Sequence, residues 1–199
     1  MIRIYLQKIS MEPSNELTAN QSLELISRMI REAKGRVQAN SFYYLLWGWV
    51  ILLANLGMFT LSRVGFERPY LVWLITIPAW ILSLAWGFRH RSAARTSTHF
   101  ERVSTALWVS LGVVIFTLVI FGYQINFQLG PIILMISAIP TFTSGVILKF
   151  RPLIIGGILF WIAGIVSFIL PREFQPLVGA VAIACCYLVP GYMLKNRRD

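Results

Sequence analysis

The side chains that carry most enzyme chemistry lie outside the apolar parts of this sequence. Its two histidines, His90 and His99, share one short stretch with Glu101 and four arginines. Two imidazoles and a carboxylate are ligand types that zinc accepts, but the crowded arginines would repel the cation. A solvated loop facing lipid headgroups fits the stretch better, with an anionic-lipid or phosphate contact as the functional alternative. We therefore expect no metal site and no cofactor.

The only cysteines, Cys185 and Cys186, are adjacent in the chain. Neighbouring residues on a helix point about 100° apart, so a bridge between these two is disfavoured, and neither belongs to a CxxC pair. We interpret both as small apolar packing residues.

Six uncharged, apolar stretches of 19 to 21 residues dominate the sequence and predict an all-α, six-span membrane protein. A helix needs about 20 apolar residues to cross about 30 Å of hydrocarbon. Only 13% of the residues are charged, whereas soluble domains carry about 25%. The predicted spans are 42–61, 70–88, 103–123, 129–148, 152–170 and 175–194.

None of these six stretches contains Asp, Glu, Lys, Arg or His. Ionisable groups inside a membrane are costly and mark proton relays, voltage sensors and ion paths. Intramembrane proteolysis would likewise need a buried acid pair, a serine–histidine dyad or a metal. The composition therefore argues against each of these classes and predicts a protein that is not an enzyme, with no catalytic residue.

The positions of the basic residues predict the orientation. Fifteen of the 18 Lys and Arg residues fall in the N-terminal arm, the even-numbered connections and the tail. Basic loops stay on the cytoplasmic side, so we expect a bacterial inner-membrane protein with both termini in the cytoplasm. The net charge of +10 is then explained by topology and by anionic headgroups, without nucleic-acid binding. Three basic residues lie on the other side: Arg63, Arg68 and Arg172.

Three regions follow: a cytoplasmic arm over residues 1–40, the six-helix membrane domain over 41–194, and a basic tail over 195–199. Residues 1–10 lack the apolar run of a secretory signal peptide, and Met11 is an alternative start. Within the arm, residues 19–38 predict an amphipathic helix. Its stripe could dock on the membrane surface, on the cytoplasmic face of the bundle, on a second copy of the chain or on a protein partner. The stripe consists of Leu23, Ile26, Ile30 and Val37.

The fourth stretch carries a polar face that is the best candidate for a buried site. Ser137, Thr141, Ser144 and Gly145 share one side of the predicted helix, beside Pro140. Small residues let helices approach closely in lipid, so a packing surface is the first interpretation. Proline should kink the helix, and a hydroxyl can satisfy the carbonyl that it frees.

The alternative is a cavity for a neutral solute at this kink. Its lining would be completed by Asn55, Thr76 and either Trp80 or Trp161, which lie near the middle of other stretches. A transporter or channel requires a polar cavity that water can reach, whereas an accessory, sensor-like or scaffold protein can be packed solid. The sequence favours the scaffold, acting through its arm, and keeps the transporter as the alternative.

Several short strings resemble a family of uncharacterised six-span bacterial inner-membrane proteins. The resemblance covers most of the chain and implies a six-span fold, but no activity, so no catalytic residue is carried over. The strings are SLELI (22–26), FYYLLWGW (42–49), GYQ (122–124), TFTSG (141–145), RPLIIGG (151–157) and PGY (190–192).

Overall fold

The computed structural model describes the backbone of residues 19–91 and 99–196 and the side chains of residues 41–89 and 103–196. Every regular element in these ranges is a helix. Six of the helical segments are long and apolar enough to cross a membrane, which confirms the all-helical, six-segment prediction. We name them spans 1 to 6: Ser41–Val64, Pro69–Arg89, Val103–Ile120, Leu129–Ile147, Arg151–Ile169 and Arg172–Asn196.

Span 1 is the C-terminal part of a single 46-residue helix, Ala19–Val64. The sequence predicted an arm helix that ends at Gln38 and a span that begins at Phe42. The residues between them include neither Pro nor Gly, so nothing in the chain ends the helix there. The chain divides into two compact units after Val37. The predicted docking stripe lies in this helix, but its side chains are outside the described residues.

Span 2 begins as a 3-10 helix, Pro69–Ile75, and continues as an α-helix, Thr76–Arg91. The change of winding lies just before Pro78. Proline has no amide hydrogen to donate and disfavours the α conformation in the residue before it. The Thr76 hydroxyl donates to the carbonyl of Trp73 at 2.7 Å and so satisfies an acceptor at the junction.

Span 6 is also composite. A 3-10 turn, Arg172–Phe174, precedes an α-helix, Gln175–Ile183. A π-helical segment, Ala184–Leu188, then leads into a final α-helix, Val189–Asn196. By contrast, α-helices run without such changes over His99–Ile120, Leu129–Ile147 and Arg151–Ile169.

Burial is concentrated in the second half of the chain. In the 18-residue stretch taken from each span, 44%, 33% and 56% of the residues are buried in spans 4, 5 and 6. The corresponding shares are 17% in span 1 and 6% in spans 2 and 3. Spans 4, 5 and 6 therefore form the packed core of the six-segment bundle, and spans 2 and 3 expose most of their apolar side chains.

Candidate functional site

The predicted polar face of span 4 is entirely buried. Its residues recur along the helix so that they share one side, and Thr141 has no exposed surface at all. The helix continues through the proline from Leu129 to Ile147. The buried set is Ser137, Pro140, Thr141, Ser144 and Gly145.

The glycines of this region bring the backbones of spans 4 and 5 into contact. A β-carbon at Gly145 would lie 2.6 Å from the backbone nitrogen of Ile154. On the opposite helix, a β-carbon at Gly157 would lie 2.8 Å from the Cα of Phe142. Both distances are too short for a real side chain, so each position needs glycine. Helices in lipid associate through this kind of close packing.

Thr141 connects the proline turn to span 6. Its hydroxyl donates to the carbonyl of Ser137 at 2.7 Å, one turn back along the helix. The carbonyl left without its helical donor by Pro140 is that of Ile136, four residues earlier. The threonine thus supports the neighbouring carbonyl of the same turn. Its oxygen also lies within hydrogen-bond distance of the phenolic oxygen of Tyr187, at 3.4 Å.

Tyr187 is the centre of a cluster to which four spans contribute aromatic rings and span 4 contributes the Thr141 hydroxyl. Its ring meets Phe160 edge-on at a centroid distance of 5.1 Å and Tyr44 at 5.6 Å. Trp108 contacts both tyrosines, at 5.9 Å from Tyr44 and 6.2 Å from Tyr187. Edge-to-face geometry of this kind is favourable for aromatic rings. We call Tyr44, Trp108, Thr141, Phe160 and Tyr187 the Tyr187 cluster.

The π-helical segment positions Tyr187. Within it the amide of Val189 donates to the carbonyl of Ala184, five residues earlier. The wider turn accompanies the burial of three consecutive residues: Cys186, Tyr187 and Leu188. Sequence reasoning missed this feature. Its available signal was Pro190, which cannot donate the hydrogen bond of a regular α-turn.

Two hydroxyls of the core remain without a hydrogen-bond partner among the described residues. Ser144 is 4% exposed and lies close to Tyr44, and Ser167 is fully buried. A buried hydroxyl without a partner usually costs stability. These serines are the observation most favourable to a polar ligand or a water molecule in the core.

The four residues predicted to complete a cavity make their contacts in different places. Asn55 donates to the carbonyl of Ile51 at 2.9 Å and leaves no room for a side chain at Gly179. Asn55 therefore lies against span 6. The Thr76 hydroxyl is hydrogen-bonded to the Trp73 carbonyl within span 2.

The two tryptophans predicted for the cavity also contact different residues. Trp80 is half exposed, meets Trp47 edge-on at 5.4 Å and lies against Gly112 of span 3. Trp161 packs on Phe142 at 5.6 Å, at the contact between spans 4 and 5. Trp80 therefore contacts spans 1 and 3, and Trp161 contacts span 4. These contacts are not the arrangement expected for one shared cavity.

The Tyr187 cluster can donate and accept hydrogen bonds, but its chemistry is that of neutral hydroxyls and aromatic rings. A serine, threonine or tyrosine nucleophile needs a neighbouring base, and the six apolar stretches contain no Asp, Glu, Lys, Arg or His. The arrangement is therefore suited to holding five helices together.

Comparison with protein-family models, with curated proteins and with solved structures finds no match to this chain. The resemblance to the six-span bacterial family thus stays an interpretation of the sequence strings.

Proposed function

We propose that this chain is a non-enzymatic integral membrane protein that acts as an accessory, sensor-like or scaffold component through its N-terminal arm. The observation that carries the proposal is the packing of the span 4 face. Thr141, Gly145 and Phe160 are buried against backbone or ring atoms of neighbouring spans. A solid core at the position most suited to a solute site favours a membrane domain that supports another part of the protein.

The arm is the part best suited to that role. Its helical backbone begins at Ala19, and the sequence gives it one apolar stripe and an opposite face with alternating charge. The arm is continuous with span 1 in one 46-residue helix, and an apolar stripe on such a helix is stabilised further by docking on something else. The membrane surface with its anionic headgroups, a second copy of the chain and a protein partner all offer such a surface.

We further propose that the protein resides in a bacterial inner membrane with both termini in the cytoplasm. The support is the distribution of Lys and Arg, 15 of 18 of which lie on one side of the six-span topology. Reporter fusions after Leu61, Tyr123 and Leu170 should be active in the periplasm, and fusions after Phe88, Phe150 and Asp199 in the cytoplasm. A periplasmic signal from the C-terminal fusion would overturn the orientation.

The arm's role is tested by charging its stripe in the full-length protein in vesicles. The double variant Ile26→Asp/Ile30→Asp should release the helix and expose the bonds after Arg28 and Arg31 to trypsin. By helical spacing, Gln21 and Gly35 lie on the opposite face. The variant Gln21→Asp/Gly35→Asp adds the same charge there and should leave cleavage slow. Equally fast cleavage of the parent protein would show that the arm is not docked.

A small transporter or channel for a neutral solute is the second candidate, and the buried hydroxyls of Ser144 and Ser167 are what favour it. Pro140→Ala separates the two functions. If Pro140 only shapes the packing of span 4, the protein should tolerate the change without loss of function. If Pro140 forms part of a gate or solute site, the variant should lose transport activity while its melting temperature stays near that of the parent protein.

A further inference from the structure

A cleft at one end of the membrane domain lies outside the Tyr187 cluster. Its volume is about 640 Å³, and it is open on one side. One residue from the connection between spans 4 and 5 and five from the end of span 6 line it. They are Phe150, Leu188, Val189, Tyr192, Met193 and Asn196.

The first wall is shaped by the way span 4 ends. Lys149 adopts a left-handed conformation with φ of 49°. The Phe150 amide donates to the carbonyl of Gly145 at 2.9 Å, and the Lys149 amide donates to Val146 at 3.1 Å. These two bonds define a Schellman motif. The turn buries Phe150 at the cleft and leaves the neighbouring Lys149 and Arg151 exposed.

The second wall is one face of the final helix. Val189, Tyr192, Met193 and Asn196 are spaced by three and four residues, so they lie on the same side. Val189 and Met193 are about half exposed. Tyr192 is held in place because its phenolic oxygen accepts a hydrogen bond from the indole of Trp49 at 3.2 Å.

Charge identifies the occupant. Lys149, Arg151 and Lys195 are exposed, and in the chain they stand next to Phe150 and Asn196, which line the cleft. We call these three basic residues the basic rim. The only acid between Gln124 and Asn196 is Glu173, which lies in the first turn of span 6, at the opposite end from the cleft. Apolar walls with basic residues beside them in the chain match a molecule that has an acyl chain and an anionic head.

We propose that this cleft binds an anionic phospholipid of the inner leaflet. The acyl chain lies along Val189 and Met193, and the phosphate is held by the three basic residues of the rim. Basic pockets between membrane helices on the cytoplasmic side bind anionic headgroups in this way. The assignment to the inner leaflet rests on the proposed orientation, and the binding itself does not.

The test uses the full chain in nanodiscs, whose two leaflets are both accessible, so that its result is independent of the reporter fusions. Photoactivatable phosphatidylglycerol and photoactivatable phosphatidylcholine with the same acyl chains are compared at equal density. Phosphatidylglycerol should cross-link to the 189–196 segment about tenfold more than phosphatidylcholine does. The triple variant Lys149→Gln/Arg151→Gln/Lys195→Gln should lose that preference.

A matched control removes three charges elsewhere: Arg68→Gln/Arg89→Gln/Arg172→Gln should keep the preference within about twofold. Met193→Trp fills the cleft without changing its charge and should reduce cross-linking of both lipids. This variant tests binding at the cleft even if the triple variant unfolds. Equal labelling by the two lipids would overturn the proposal, as would equal losses in the two triple variants. Cross-linking of the cleft to the arm or to a second copy of the chain would overturn it too.

Discussion

Spans 4 to 6 and spans 2 and 3 use the same residue types with different results. A β-carbon at Gly145 of span 4 would collide with the backbone of span 5, whereas at Gly112 of span 3 it would meet only the edge of the Trp80 ring, at 3.3 Å. Likewise Tyr187 is 4% exposed, and Trp80 is 50% exposed. A small residue therefore indicates a packed core only where the backbone of another helix contacts it. An aromatic residue does so only where several other rings surround it.

The largest difference between the two regions should appear on truncation of the central aromatic residues. Tyr187→Ala removes the ring that contacts Tyr44, Trp108 and Phe160, and should cost about 3–5 kcal/mol of unfolding free energy. Trp80→Ala should cost only about 0.5–1.5 kcal/mol, the value of one edge-to-face contact. Denaturation in detergent measures both. Equal losses would mean that the two regions are packed alike.

Overpacking sharpens the comparison at the glycines. Gly145→Leu should destabilise the protein by about 1–3 kcal/mol, because the backbone of span 5 must move. Val146→Leu, one residue further along the helix at an exposed position, should stay within about 0.5 kcal/mol. Gly112→Leu in span 3 should fall between them, since only the Trp80 ring must shift. A melting temperature unchanged by Gly145→Leu would place that face against lipid.

The smallest effect concerns two threonines with the same local bond. Thr141 and Thr117 each donate to the carbonyl four residues back, at 2.7 and 2.9 Å, but only Thr141 also reaches another span. Thr141→Val should cost about 0.6 kcal/mol, the average for a hydrogen bond between membrane helices. Thr117→Val, at an exposed position, should cost less. Parallel unfolding measurements that find Thr117→Val equally costly would remove the special role of the Thr141–Tyr187 contact.

The sequence was informative where a single helix carries the signal. Stretches without charge predicted six segments, and the spacing from Ser137 to Gly145 placed four residues on one face. Contacts between helices are not encoded in such spacing. Asn55 and Trp80 looked alike as polar or aromatic residues near mid-span, yet one meets Gly179 and the other Trp47.

Backbone irregularities were also hard to predict. Pro140 and Pro190 both lie in apolar helical segments. A π-helical segment precedes Pro190, whereas the helix around Pro140 is α-helical. Which response a proline produces depends on the neighbouring helix that must be accommodated. The central place of Tyr187 follows from that segment, so it could not be read from the residue's own position in the sequence.

We expect the span 4 face to be closed to water. This expectation is tested most directly by cysteine accessibility in sealed membrane vesicles, in a Cys185→Ala/Cys186→Ala background. A membrane-impermeant maleimide should label Gln124→Cys, an exposed residue of the connection after span 3, when supplied on the side of that connection. It should leave Ser137→Cys and Ser144→Cys unlabelled from either side until detergent unfolds the protein. Labelling of Ser144→Cys in the folded protein at a rate near that of Gln124→Cys would contradict the account and favour a water-filled solute path.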